Sequence, residues 1–281
     1  TNANIFGGAK WQRCLIKPRF GYVMYYLDYE QQELAIQGYL SGDKKLIEAY
    51  KSGDGYLQSA KWLNLVPDYA TKDSHEDERE IVKVLFLAQG YGAGPGYVAG
   101  QVKCSLLYAK HLLRMFKNLY KTYNAWISKV LRKVAITNKI TTNLGWQRYS
   151  NGTFKINKEG QLKSIRNTLL NFPAQGNGSD ILRQAIIKLH EAGFLINAPV
   201  HDALLISIPR GNEDKEVKIA QRIMEESAEF VIGNKIRVGI EKVDPHFKVK
   251  EKHKEIFNLI FKKIDEFKYL AQSRQQPGSH Q

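Results

Sequence analysis

A chain of 281 residues with 43% apolar side chains can bury one large core or two smaller ones, and is too apolar for wholesale disorder. Its 42 Lys and Arg against 28 Asp and Glu leave a formal charge of +14, which favours a polyanionic partner, nucleic acid ahead of a membrane surface. Two cysteines far apart, Cys14 and Cys104, argue against a disulfide framework and for a reducing compartment.

No signal peptide is visible. The most apolar long stretch, residues 81–102, contains Lys83 and several Gly and is not a membrane span. Opening at Thr1 rather than Met, the chain is expected to have lost an upstream portion. Residues 1–22 read as irregular. The apolar run Val23-Met24-Tyr25-Tyr26 reads as a buried strand, and Leu34, Ile36 and Leu40 as a helix, so Asp28 falls where strand gives way to loop or helix. Gly42-Asp43 and Gly53-Asp54-Gly55 are turn signals, a helix over 56–65 ends before Pro67, and a helix of about 77–89 stops at the Gly-rich segment 90–96.

Residues 98–136 are helix-forming, with many basic and aromatic side chains. Residues 140–142 and 146–149, followed by Asn151-Gly152, read as short strands and a turn. Asn171-Phe172-Pro173 predicts a break before a helix from about Ser179, its N-cap, to Ala192, with Gly193 as C-cap. Two apolar runs, 194–200 and 203–208, flank His201-Asp202 and predict a hairpin with a carboxylate at its tip. A helix at 213–231, a strand near 236–242, an amphipathic helix over 251–271 and a disordered tail at 272–281 complete the chain.

An ionised carboxylate at the end of a buried strand is costly unless it is paired or binds a cation. Asp28 and Asp202, 174 residues apart (202 − 28), both occupy such positions. Two carboxylates on adjacent strands can hold two divalent cations about 3.5–4 Å apart for an in-line phosphoryl transfer, and hard oxygen ligands suit Mg²⁺. Either aspartate alone most often does no more than close a turn. On the helix near 77–91, Arg79, Lys83, Leu87 and Tyr91 recur every four residues along one stripe, which could receive a triphosphate and stack its base. The same spacing also describes a solvated basic face.

Four blocks in order then resemble the polymerase region of family A DNA polymerases. Residues 28–34, Asp-Tyr-Glu-Gln-Gln-Glu-Leu, resemble motif A. Arg79-x₃-Lys83-x₇-Tyr91-Gly92 resembles the motif B fingers helix. Asn171-Phe-Pro-Ala-Gln175-Gly176 with Asp180 resembles the segment before motif C, and Val200-His201-Asp202 resembles motif C. The match covers about residues 11–249.

The resemblance implies an α+β palm with a mostly antiparallel sheet flanked by helices (residues 1–54 and 138–271) and an inserted helical fingers subdomain (55–137). Thumb and exonuclease domains would be absent, supplied by an upstream region or a separate chain. It further implies template-directed addition of deoxynucleotides to a primer 3′-hydroxyl, with two Mg²⁺ ions, replaceable by Mn²⁺, on Asp28 and Asp202. Arg79, Lys83, Leu87, Tyr91, Glu33, Gln31 and Tyr56 would contact the incoming dNTP, with Glu33 as the gate against a ribose 2′-hydroxyl. Asn171, Gln175 and His201 would contact primer–template DNA. No membrane partner is expected, and the location would be the cytoplasm of a bacterial or phage-infected cell, an organelle being the other option. Without a thumb, the chain would bind primer–template weakly and extend it distributively.

Departures from the family pattern mark a divergent branch of phage or prophage type. Leu87 stands where Phe or Tyr is usual, Tyr56 where many members place His, Ala203 where motif C has a third acidic residue, and Ala35 where motif A has Arg. The competing readings are a single-subunit RNA polymerase, which Glu33 disfavours, a non-catalytic primer–template-binding module of the same fold, and a metal-dependent nuclease.

Overall fold

The computed structural model describes residues 10–150, 154–156, 162–164, 169–249, 251 and 254–273. Among these, the chain is α+β and divides into two compact units. The first comprises Thr1–Asp28, Ala192–Gln221 and Gly239–Gln281, the second Tyr29–Glu191 and Arg222–Val238.

The first unit holds a four-stranded sheet. Its strands are β1 (Tyr22–Tyr29), β6 (Leu195–Val200), β7 (Ala203–Pro209) and β8 (Val238–Val243), in the order β6-β7-β1-β8. β7 pairs antiparallel with both β1 and β6. The sequence accounts for this order. β7 and β1 are near-continuous apolar runs and lie inside, whereas β6 alternates exposed and covered residues as a sheet edge does. A 3-10 turn (Lys10–Leu15) replaces part of the irregular segment expected at 1–22. Cys14, Met24, Val200, Leu205, Val243 and Phe247 form the core of this unit, and Phe257 of the C-terminal helix packs against it.

The second unit is mostly helical. Helices α1 (Gln32–Ser41), α2 (Lys44–Lys51), α3 (Gly55–Trp62), α4 (Glu76–Gly90), α5 (Pro95–Val102), α6 (Leu106–Leu119) and α7 (Lys121–Thr137) follow β1. The continuous helix-forming stretch expected at 98–136 is thus three helices, interrupted where Lys103 adopts a left-handed φ of 56° and at Tyr120. Asp43 caps α2 by accepting from Leu46 N at 3.1 Å, and its other oxygen accepts from Tyr123 N at 2.9 Å, so one buried carboxylate fixes the starts of two helices. Strands β2 (Lys139–Thr141) and β3 (Gln147–Tyr149), close to the two short strands expected, pair antiparallel, and β4 (Phe154–Ile156) and β5 (Leu162–Ser164), which the sequence did not single out, form a second antiparallel pair. The expected Asn151-Gly152 turn lies outside the described residues.

One element differs from expectation. Helix α8 runs Phe172–Glu191, so the Asn-Phe-Pro segment opens the helix instead of preceding it, and Ser179 is interior rather than a cap. Pro173 falls in the first turn, where no intrahelical N–H is lost. Two glycines inside the helix allow close approach to its neighbours. A Cβ on Gly176 would lie 2.6 Å from Thr142 Cγ2, and one on Gly178 would lie 2.6 Å from Gln32 Oε1 of α1. Gly193, at φ 83°, ends the helix as expected.

Helices α9 (Glu213–Ile232) and α10 (Lys254–Ser273) follow. The first two residues of the expected tail are therefore helical, and 274–281 lie outside the described residues. Among the described residues no helix is long and apolar enough to cross a membrane.

Gly176→Ala tests the packing of α8. In an open helix this change stabilises by about 1 kcal/mol. Here the clash with buried Thr142 should reverse the sign and cost about 1–3 kcal/mol in urea unfolding; a gain in stability would refute the close-approach explanation.

Candidate active site

In the first unit, the antiparallel register sets Asp28 opposite Ala203, the residue after Asp202. Asp202 ends a tight turn between β6 and β7 in which His201 takes a left-handed φ of 57°. The two strands thus bring the Asp28 and Asp202 carboxyls into hydrogen-bonding contact. Burial pushes the Asp202 carboxyl above the usual range, while its own backbone amide, His201 and Asp28 pull it back. Beside them the Tyr26 hydroxyl is pushed up to about 12, first by burial and then by the charges of Asp28 and Asp202, with Arg13 acting in the opposite sense. His201 is exposed on the turn.

Two carboxyls in contact must share a proton or a cation. The donor set is all oxygen, and no group of three or more His, Cys, Asp or Glu that could hold a metal occurs among the described residues. Two carboxylates with the remaining positions left to water and substrate phosphate match the way Mg²⁺ is held in phosphoryl-transfer sites, so the residues fit the ion.

In the second unit, three of the sequence-derived residues meet. Glu33 in the first turn of α1 accepts from the Tyr91 hydroxyl at 3.3 Å and from the Gln175 side-chain amide, and Gln175 Nε2 lies 3.4 Å from the Tyr91 oxygen. Tyr91 is the C-terminal cap of α4 and Gln175 lies in the first turns of α8, so three helices converge on the Glu33 carboxylate. Burial and then Glu33 push the Tyr91 hydroxyl upward, opposed by Asn171 and Gln175. Asn171 is buried beside it, and its carboxamide has no partner of good hydrogen-bond geometry.

Along α4, Arg79 and Lys83 both have carboxylate partners. Arg79 Nε binds Asp54 at 2.5 Å, both side chains being mostly covered, and its guanidinium lies 5.3 Å from the Tyr56 ring centre. The Tyr56 hydroxyl is pushed up to about 12, by burial first and Glu33 second. Lys83 reaches Glu80 at 2.9 Å on the exposed face, and Leu87 is half-buried one turn further on. Gln31 is left-handed, with φ 51°, and its amide bridges Gly53 O at 2.8 Å and Gly55 N at 2.9 Å. That side chain braces the α2–α3 loop and does not join the Glu33 cluster.

Two residues escaped the sequence reading. Asp54 is at once the N-cap of α3, accepting from Leu57 N at 3.1 Å, and the partner of Arg79. The Gly53-Asp54-Gly55 segment reads only as a turn signal, and nothing local points to the ion pair. Arg237 binds Glu30 at 3.1 Å and Tyr50 O at 2.8 Å and stacks over the Tyr50 ring at 4.2 Å, tying the start of the helical unit to α2. Nothing in its local sequence sets it apart.

A family model described as DNA polymerase family A matches residues 6–244. The DNA polymerase of Mycobacterium phage D29 is 31% identical over 236 residues, covering 81% of this chain and 36% of the phage protein. The thermostable DNA polymerase I of Thermus aquaticus is 26% identical over 78% of this chain and 27% of its own length. Among solved structures, the POL domain of Pol1 from M. smegmatis, in complex with DNA primer-template and dNTP, superposes with a TM-score of 0.72 at 24% identity, over 83% of this chain and 41% of that one. The chain thus spans about a third of the length of these curated relatives.

Asp54→Ala should cost about 1–2 kcal/mol in urea unfolding, because it removes a cap together with a mostly covered ion pair. Asp54→Asn keeps the cap and should cost less than Asp54→Ala. Equal losses would mean that the cap carries little of the effect.

Proposed function

This chain belongs to DNA polymerase family A, and from that membership we propose that it extends a primer 3′-hydroxyl with deoxynucleotides on a DNA template. The observation that supports this most directly is the contact between the Asp28 and Asp202 carboxyls, each held at a strand end by the β1–β7 register. Two Mg²⁺ ions, or Mn²⁺ in their place, bound by this pair would make the 3′-hydroxyl a better nucleophile and neutralise charge on the transferring phosphate.

The remaining residues position and select. Arg79 and Lys83 exchange their carboxylate partners, Asp54 and Glu80, for the triphosphate of the dNTP, a trade of like for like in charge. Tyr56, against Arg79, lines the same helix face. Tyr91 offers its ring beside the templating base. Glu33, held by Tyr91 and Gln175, is too rigid to swing aside and so rejects a ribose 2′-hydroxyl. Half-buried Leu87, an aliphatic side chain on the same helix, gives the sugar a contact without a polar group. Asn171, Gln175 and His201 meet the primer–template, while sequence is read by base pairing rather than by protein contacts to base edges. Gln31 acts on the nucleotide only indirectly, through the loop it braces. In this assignment the palm comprises residues 1–54 and 138–271 and the fingers 55–137. The cell location proposed is the cytoplasm of a bacterium or an infected host.

Primer extension is the test. Chelation should abolish extension and Mg²⁺ should restore it, and Asp28→Ala or Asp202→Ala should reduce it on the order of a thousandfold or more. Mg²⁺-dependent binding of primer–template with no extension would instead favour a non-catalytic module, and degradation without dNTPs a nuclease.

Glu33→Ala should narrow the preference for dNTPs over rNTPs roughly ten- to a hundredfold while leaving extension with dNTPs measurable. A wild-type preference for rNTPs would overturn the reading in favour of an RNA polymerase.

A further inference from the structure

The outer face of α6 carries a feature that the reaction above does not use. No Asp or Glu occurs in residues 81–158; all 28 acidic residues lie elsewhere in the chain. Within this acid-free stretch, Lys110, Arg114 and Lys117 of α6 are exposed, and none of them has a carboxylate partner among the described residues. They alternate with Leu107 and His111 at helical spacing, so all five share one face, while Ala109, Leu112, Leu113 and Phe116 anchor the opposite one.

This face is not a simple solvated lysine stripe. Leu107 is 79% exposed and Tyr108 42%. The Tyr108 ring stacks on His111 with centroids 6.4 Å apart and planes within 20°, and Arg114 Nη2 lies 3.4 Å from His111 Nδ1. Together with Ser105 and Lys110 these side chains line a shallow groove of about 570 Å³. A surface meant only for solubility intersperses both signs of charge and keeps large apolar groups covered. Here flat apolar and aromatic groups sit among unpaired cations.

We propose that this face is an accessory binding surface for single-stranded nucleic acid, with bases stacked on the Tyr108–His111 pair and phosphates on Lys110, Arg114 and Lys117. Alternating π-faces and cations suit a strand whose bases are unpaired and free to splay. A duplex, with its bases stacked inside, would use the charges and leave the rings idle. The surface needs neither the Asp28–Asp202 pair nor a dNTP, so it stands or falls separately from the polymerase reading.

The test is fluorescence anisotropy of the whole chain with a labelled oligothymidylate of about 20 nucleotides, longer than a typical single site, in chelator and without dNTP. Lys110→Ala/Arg114→Ala should weaken binding on the order of tenfold and lower the slope of log K against log salt by about 1.4, about 0.7 for each phosphate that is no longer neutralised. Tyr108→Ala should weaken binding about fivefold or more with the slope unchanged, and should leave affinity for a blunt duplex of equal length intact. Unchanged unfolding midpoints show that the exposed substitutions leave the fold in place. Wild-type affinity in either variant, or equal losses on strand and duplex for Tyr108→Ala, would overturn the proposal. So would variants that keep oligonucleotide binding but lose binding to vesicles of anionic phospholipid, which would assign the surface to a membrane.

Discussion

The pairing of β1 with β7 is the constraint on which the first unit depends. Both strands are apolar along nearly their whole length and cannot be left at a sheet edge without exposing that surface. Their antiparallel register sets Asp28 opposite Ala203 and so beside Asp202. A slip of one residue would turn every core side chain outward, so hydrophobic burial fixes the position of two like charges that would otherwise separate. Burial in this position pushes the Asp202 carboxyl above its usual range, with Asp28 acting in the opposite sense, and a bound cation would favour the charged form.

In the helical unit the corresponding constraint is close approach. Gly176 and Gly178 let α8 lie against Thr142 and Gln32 with no room for a Cβ. That packing carries Gln175 to Glu33, where α1 and the end of α4 also arrive. A carboxylate gripped from two sides is a rigid one, which suits the steric gate proposed for Glu33. Asp54 and Arg237 work one layer further out, where caps and ion pairs hold the loop between α2 and α3 against α4 and the start of the unit.

The charge of +14 is unevenly spread, and the acid-free residues 81–158 carry much of its consequence. Charge of one sign along such a stretch creates a field that draws polyanions at long range and weakens with salt. In α6 that field coincides with stacked and exposed rings. The two features together make the surface selective for one kind of polyanion.

The sequence by itself determined a good deal. Apolar runs marked β1, β6 and β7, turn residues marked the breaks between short helices at 42–43 and 53–55, and four blocks in order pointed to the family whose model the chain matches. These signals are local, set by periodicity and by residues whose backbone preferences differ from the rest. What tertiary structure decided is non-local. The contact of Asp28 with Asp202, the convergence on Glu33, the pairing of Arg79 with Asp54 and the bracing role of Gln31 all join residues distant in sequence. The early start of α8 belongs to the same class. Asn-Phe-Pro reads as a break because a proline ends most helices, whereas here it sits in the first turn of a helix whose glycines at 176 and 178 supply the space that its neighbours need.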